Sequence, residues 1–161
     1  MNDLGAAGLV TFRLGEREYA TPLAEVREVV RLQGLADMPG MRPPLAGVLD
    51  LRGSALPVLD LRPGVDRGAR GDVLVIDRGS SPAVDGDVAS SGQVGVAVDQ
   101  VRAVVSTADL PRAGAADRAV LPDYVVDVLR GERGVVLLVD LEAMVAAVRQ
   151  PVPAGQPQPV V

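Results

Sequence analysis

The sequence contains neither cysteine nor histidine. Without cysteine there is no disulfide framework, no thiol nucleophile and no thiolate metal site. Without histidine the commonest general base and the commonest metal ligand are missing as well. Most hydrolase, triad and zinc chemistries therefore lack their residues. Lysine is absent too: all 16 basic residues are arginine, which excludes a glycine-rich phosphate loop ending in lysine. Ser80, Ser81, Ser90 and Ser91 have no base to activate them. There is no tryptophan, and only Phe12, Tyr19 and Tyr124 are aromatic. With few stacking platforms and a formal net charge of −5, the chain is no nucleic-acid binder. No apolar run is long enough to span a bilayer, and Met1-Asn2-Asp3-Leu4-Gly5 lacks a basic region leading into an apolar one. A cytoplasmic protein is expected, reaching membranes only indirectly through a partner.

What remains is enough for a substantial core. Of 161 residues, 48% are hydrophobic, a length that suits one domain or two small subdomains sharing an interior. Valine, leucine and alanine must fill that interior, and β-branched valine packs well on pleated sheet, so the fold leans towards β. Val10, Phe12 and Leu14 alternate with Thr11 and Arg13 as a half-buried strand. Gly15-Glu16 turns the chain and Tyr19 to Thr21 returns as the second arm of a hairpin. Thr21-Pro22 reads as a helix cap, and Leu23, Val26, Val29 and Val30 follow at helical spacing, predicting a short helix that Gly34 ends. Of Val29 and Val30, one is expected in the core and the other at a rim.

Prolines then break the chain from Met38 to Pro44. Leu45 to Leu51 and Ala55 to Leu61 form a hairpin about Gly53-Ser54, with Pro57 either at an edge or where its missing N–H is not needed. Val73 to Ile76 is continuously apolar, as expected of a strand buried on both faces. Residues 79–92 are rich in Gly, Ser and Asp and predict a mobile tip; Asp85-Gly86-Asp87 lacks the further ligands of a calcium loop. Val94, Val96 and Val98 alternate with Gly95 and Ala97, and a kink near Asp99 leads into a strand from Val101 to Val105. Tyr124 to Leu129 and Val135 to Val139 make a last hairpin. Leu141, Met144, Val145 and Val148 then recur as a helical stripe. Residues 1–8 are expected to be a flexible N-terminus, 9–149 one domain, and 150–161 a disordered proline-rich tail.

Four segments in this order resemble the CheW-like domain family, from about Val10 to Val148. The first is Phe12-Arg13-Leu14-Gly15 with Tyr19 and Val26-Arg27-Glu28-Val29. The most specific is Gly47-Val48-Leu49-Asp50-Leu51-Arg52-Gly53, continuing through Pro57-Val58-Leu59-Asp60-Leu61-Arg62. Val94 to Val101 and Leu137-Leu138-Val139-Asp140-Leu141 complete the series. One departure is Asp50, which stands where the family usually has asparagine.

The resemblance implies a mainly β fold of two small five-stranded SH3-like barrels with short helices at their edges. It implies a non-enzymatic adaptor with no cofactor and no metal site. Its implied partners are the regulatory domain of a CheA-type histidine kinase and the cytoplasmic tips of chemoreceptors. On the receptor-facing side it implies Arg52, paired with Glu28, and Val98, Asp99 and Val101 lining a groove between the barrels. For Val98, Asp99 and Val101, core packing and a strand-ending carboxylate remain an equal alternative. Gly47, Gly53 and Pro57 are implied to serve the backbone. Two other readings stay open: a divergent scaffold in a non-motility chemosensory pathway, and a carboxylate-based barrel enzyme using a pair such as Asp50 and Asp60.

Overall fold

The computed structural model describes residues 8–37, 39–41, 43–62, 70–77, 92–114 and 120–149. The expectations for residues 1–7, for nearly all of the 79–92 tip and for the 150–161 tail lie outside these. Among the described residues ten strands run in chain order: β1 (Gly8–Leu14), β2 (Arg17–Pro22), β3 (Val26–Arg31), β4 (Leu45–Leu51), β5 (Ser54–Asp60), β6 (Asp72–Asp77), β7 (Gln93–Val98), β8 (Gln100–Ser106), β9 (Val125–Gly131) and β10 (Gly134–Val139). One helix, α1 (Leu141–Arg149), follows. The strands form two five-stranded sheets, β8-β1-β2-β10-β9 and β3-β6-β7-β5-β4. In each, three strand pairings are antiparallel and one is parallel, β10 with β2 and β5 with β7.

The hydrophobic spacing explains how two sheets share one interior. Along β1, Val10, Phe12 and Leu14 face one way and join β6, β7 and α1 in a seam between the sheets. Leu9, on the opposite face, packs with Ala20, Leu129, Val136 and Leu138 inside the first barrel. Along β6, Leu74 and Ile76 enter the seam, whereas Val73 and Val75 enter the second barrel with Leu49, Leu56 and Val58. Successive strand residues point to opposite faces, so a stretch of strand buried on both faces is apolar at almost every position. That is why Val73-Leu74-Val75-Ile76 carries no polar residue. Each such side chain contributes roughly 1.5–3 kcal/mol when fully buried. Phe12, fully buried, stacks on Tyr19 at 5.7 Å between ring centroids.

The helix expected over Leu23 to Val30 is a correction. A 3-10 turn covers Leu23–Glu25, and Val26–Arg31 is the strand β3, paired antiparallel with β6. Apolar residues at 23, 26, 29 and 30 fit a helix. Three of them are β-branched valines, however, and β6 offers an unpaired edge, so tertiary pairing overrides a short helical pattern. Burial along β3 alternates accordingly, with Val26, Glu28 and Val30 half-buried and Arg27, Val29 and Arg31 exposed. Glu28 therefore projects from a strand.

Pro57 lies in β5, inside its sheet, so the edge alternative fails and the other holds. It sits opposite Val48, whose N–H and C=O are both engaged by Ala36 beyond the sheet. On its other side the pairing with β7 begins only at Val58. No ladder bond needs the N–H that proline lacks.

Gly47 permits a close backbone approach. A Cβ there would lie 2.6 Å from the carbonyl oxygen of Ala36 and 2.6 Å from the Leu35 side chain. Gly47→Ala should therefore cost about 1–3 kcal/mol, as overpacking does in other cores. Urea unfolding should show a lower midpoint at unchanged slope; an unchanged midpoint would mean the 35–36 segment simply moves aside.

Candidate functional site

The β4–β5 hairpin closes on Leu51 and Ser54, leaving Arg52-Gly53 as a two-residue turn. Both turn residues have positive φ, +50° and +87°, the pattern of a type I′ turn whose twist matches the flanking strands. Glycine accepts that conformation freely; arginine does not. Asp50 secures the turn by accepting the Gly53 N–H at 2.8 Å. A carboxylate can do what an asparagine carbonyl would do at that position, so the departure at Asp50 leaves the turn intact.

The turn aims the Arg52 guanidinium at Glu28 on β3. Nη1 donates to Oε2 at 3.0 Å and Nη2 to Oε1 at 2.5 Å, a two-pronged fork between the two edge strands of the second sheet. Hydrogen bonding by Arg52 holds the Glu28 carboxyl below its usual range and raises the guanidinium in turn. The Arg52 side chain is 72% exposed and that of Glu28 is 28% exposed. Pairs this exposed add little stability. What the pair does is hold a planar, charged fork in one orientation on an open surface.

Val98 is fully buried in the seam, so it takes the core alternative and presents nothing to a partner. Val101 is half-buried against the same seam. Asp99 is the single residue between β7 and β8. Its Oδ2 accepts the Gly15 N–H at 2.6 Å, and its own N–H donates to the Arg13 carbonyl. The sequence-predicted site residues thus fall into two groups: Arg52 and Glu28 on the second sheet, and Asp99 and Val101 where the sheets join.

Spacing alone did not reveal the exposed apolar side chains at the other end of β1. Leu23 is 43% exposed and Val104 60% exposed, and both approach the same point beside Gly8 to within 3.3 Å. Val29 is exposed on the edge strand β3, while Val30 beside it is half-buried. Leu23 had been read as part of a helical stripe, and Val104 as one more strand valine; only the sheet pairings show which face each occupies.

Two further arrangements bear on chemistry. Asp50 and Asp60 lie at opposite ends of the β4–β5 hairpin. Asp50 pairs with Ala55, and five strand steps separate Ala55 from Asp60, about 17 Å at the usual rise. Asp60 is moreover engaged by the buried Arg62, whose Nε and Nη2 donate at 2.9 and 2.7 Å. The two carboxylates cannot share a substrate proton. Among the described residues no group of acidic side chains could hold a metal ion, and no helix is long and apolar enough to cross a membrane.

This architecture and these motifs agree with the comparison to known proteins. The CheW-like domain matches residues 8–149. The chain belongs to the CheW-like domain family. Its relatives include the chemotaxis protein CheW of Bacillus subtilis (strain 168), 35% identical over 54 residues. Protein PilI of Pseudomonas aeruginosa is 36% identical over 52 residues. These stretches cover 34% and 32% of the chain, and only 35% and 29% of the two relatives, so the alignments span about a third of their lengths. A crystal structure of scaffolding protein TtCheW from Thermoanaerobacter tengcongensis matches over 84% of this chain and 85% of that one. Its TM-score is 0.58 at 20% identity, a likeness of fold.

The turn makes a counterintuitive prediction. Arg52→Gly should melt at or above the parent temperature, because it relieves the left-handed arginine and gives up only an exposed ion pair. Arg52→Ala should melt below Arg52→Gly. A parent that melts above Arg52→Gly in differential scanning calorimetry would show that the fork, and not the backbone, governs this turn.

Glu25 supplies a second prediction. Its carboxyl is raised, first by burial and then by the nearby Asp140, against the lowering hydrogen bonds from Thr21 and Leu141. A carboxyl raised on folding binds its proton more tightly in the native state, so stability falls as pH climbs from the unfolded value through the folded one. Glu25→Gln should accordingly be more stable than the parent at pH 7 and match it at pH 3. Equal stability at both pH values would mean that Glu25 is as well solvated folded as unfolded.

Proposed function

We propose that this chain is a non-enzymatic scaffold that couples chemoreceptors (methyl-accepting chemotaxis proteins) to the regulatory domain of a CheA-type histidine kinase. The observation that carries the reading is the match of the CheW-like domain to residues 8–149, with two barrels joined by one apolar seam. Arg52 and Glu28 are the charged recognition pair, and their partner is the helical receptor hairpin. An arginine kept at a turn position that suits glycine supports this, since the conformation is unfavourable and the pair is too exposed to repay it in stability. Val101, half-buried, with Leu23 and Val104, lines the apolar part of the receptor groove at the junction of the sheets. Kinase contact falls to strand and loop surface of the second barrel. In this reading the protein is cytoplasmic and reaches membrane receptor arrays only through its partners.

The relative PilI, whose name carries no chemotaxis label, favours keeping a second reading: the same scaffold serving a different chemosensory pathway. The decisive experiment is calorimetric titration against the regulatory domain of the CheA-like kinase from the same genome, followed by the receptor hairpin. Micromolar or tighter binding to both supports the coupling role. Arg52→Ala should then weaken receptor binding about tenfold or more, as truncation of an arginine anchor does, and leave kinase binding unchanged. No kinase binding by the folded protein would move it to the other pathway, and equal loss towards both partners would remove Arg52 from the receptor side.

A further inference from the structure

Among the described residues the chain passes between the two sheets twice. β1 and β2 belong to the first sheet, β3 to β7 to the second, and β8 to β10 to the first again. The first passage is the Leu23–Glu25 turn; the second is Asp99 alone. They lie at opposite ends of β1. Leu9 pairs with Pro22 at one end, and the Arg13 carbonyl accepts the Asp99 N–H at the other, about 14 Å away by strand rise. Two anchor points leave one free rotation, about a line running along β1, which would move the proposed receptor groove's two sides relative to each other.

At the Asp99 passage two carboxylates oppose that rotation. Asp99 reaches from the end of the second sheet to the β1–β2 turn of the first, where its Oδ2 accepts the Gly15 N–H at 2.6 Å. Asp72, the first residue of β6 and almost fully buried, lies opposite Val98, and its Oδ2 accepts the Val101 N–H of β8 at 2.8 Å. Each bond joins a carboxylate to a backbone N–H of the other sheet or of the strand entering it. Charged acceptors make such bonds roughly twice as strong as neutral ones. Arg31 neutralises Asp72 at 3.5 Å, and the Arg13 guanidinium donates to the Gly15 carbonyl at 2.9 Å, so the turn that Asp99 grips is held from both sides.

We infer that Asp72 and Asp99 are positioning residues: together they fix the angle between the barrels and so the width of the groove that Val101 and Val104 border. Both act through the backbone N–H groups they hold. The clamp stands on the geometry alone; its consequence for receptor binding rests on the proposed function.

The absence of cysteine makes the test direct. Spin labels at Val135→Cys on β10 and Ala55→Cys on β5, both exposed strand positions, report the distance between barrels. The otherwise unaltered chain should give one narrow distance distribution, and adding Asp72→Ala with Asp99→Ala should at least double its width. A width unchanged in the double variant overturns the clamp, since the apolar seam would then suffice. A measurement on the unsubstituted protein covers the case in which that variant does not fold. The Gly15 and Val101 amides should exchange with solvent about a hundredfold more slowly than in the unfolded chain, and unprotected amides would overturn the proposal. Receptor-hairpin titration of the broadened variant separates the two readings: weaker binding ties clamp to groove, whereas broadened distances with unchanged binding leave the clamp standing and place the receptor elsewhere.

Discussion

The seam between the sheets is the constraint on which the rest of the molecule depends. β1, β6 and β7 each serve two interiors, one face lining a barrel and the other meeting the opposite sheet. Alternation of side chains along a strand leaves little room for polar residues at the centres of these elements, and Thr11 of β1 is admitted with its hydroxyl donating to the Ala103 carbonyl at 3.3 Å. Phe12 and Leu74, both fully buried, illustrate the demand. Losing either would open a cavity shared by two subdomains. The two sheets therefore share one buried cluster.

Polar groups at the ends of the seam are all accounted for. Among the described residues no buried side-chain nitrogen or oxygen lacks a hydrogen-bond partner. Arg62 shows how this is achieved: its side chain is fully buried, yet it forks onto Asp60 and donates to the Arg70 carbonyl at 2.8 Å. A buried ion pair is a weak source of net stability, because desolvating both charges costs about what their attraction returns. Removing one partner is another matter, since the survivor would be a buried, uncompensated charge. The Arg52–Glu28 pair has the same chemistry with the opposite exposure. One is bound into the structure; the other is displayed by it.

Much of this architecture was legible in the sequence. Apolar alternation marked β1 and β7, a continuous apolar run marked β6, and the spacing of Leu141, Met144 and Val145 marked α1. The motif around Gly53 located the hairpin, although its turn is Arg52-Gly53, one residue before the expected Gly53-Ser54. What failed was β3. Four apolar residues at helical spacing lie within eight positions, and over so short a stretch the two periods cannot be told apart. The deciding influence was the vacant edge of β6, more than forty residues later in the chain. The difference between Val98 and Val101 was obscure for a related reason. They look equivalent in sequence and pack against the same seam, yet Val98 is fully buried and Val101, beyond the crossover at Asp99, is only half-buried. How deep a strand residue lies depends on which strands pair beside it, which spacing does not show.

A scaffold transmits information only if its binding surfaces keep a defined relation to each other. Coupling between two partners is a free energy, and a compliant link between their sites dissipates it into motions of the link. The seam supplies resistance to separation, because apolar area is lost whichever way the sheets part. It resists rotation less well, since apolar contact is non-directional and side chains can slide past one another. Hydrogen bonds have direction. Carboxylates bonded to backbone N–H groups at the crossover therefore supply what packing cannot, a preferred angle. On this argument the acidic excess of the chain is not only a surface property, since at Asp72 and Asp99 negative charge fixes the backbone of one sheet against the other.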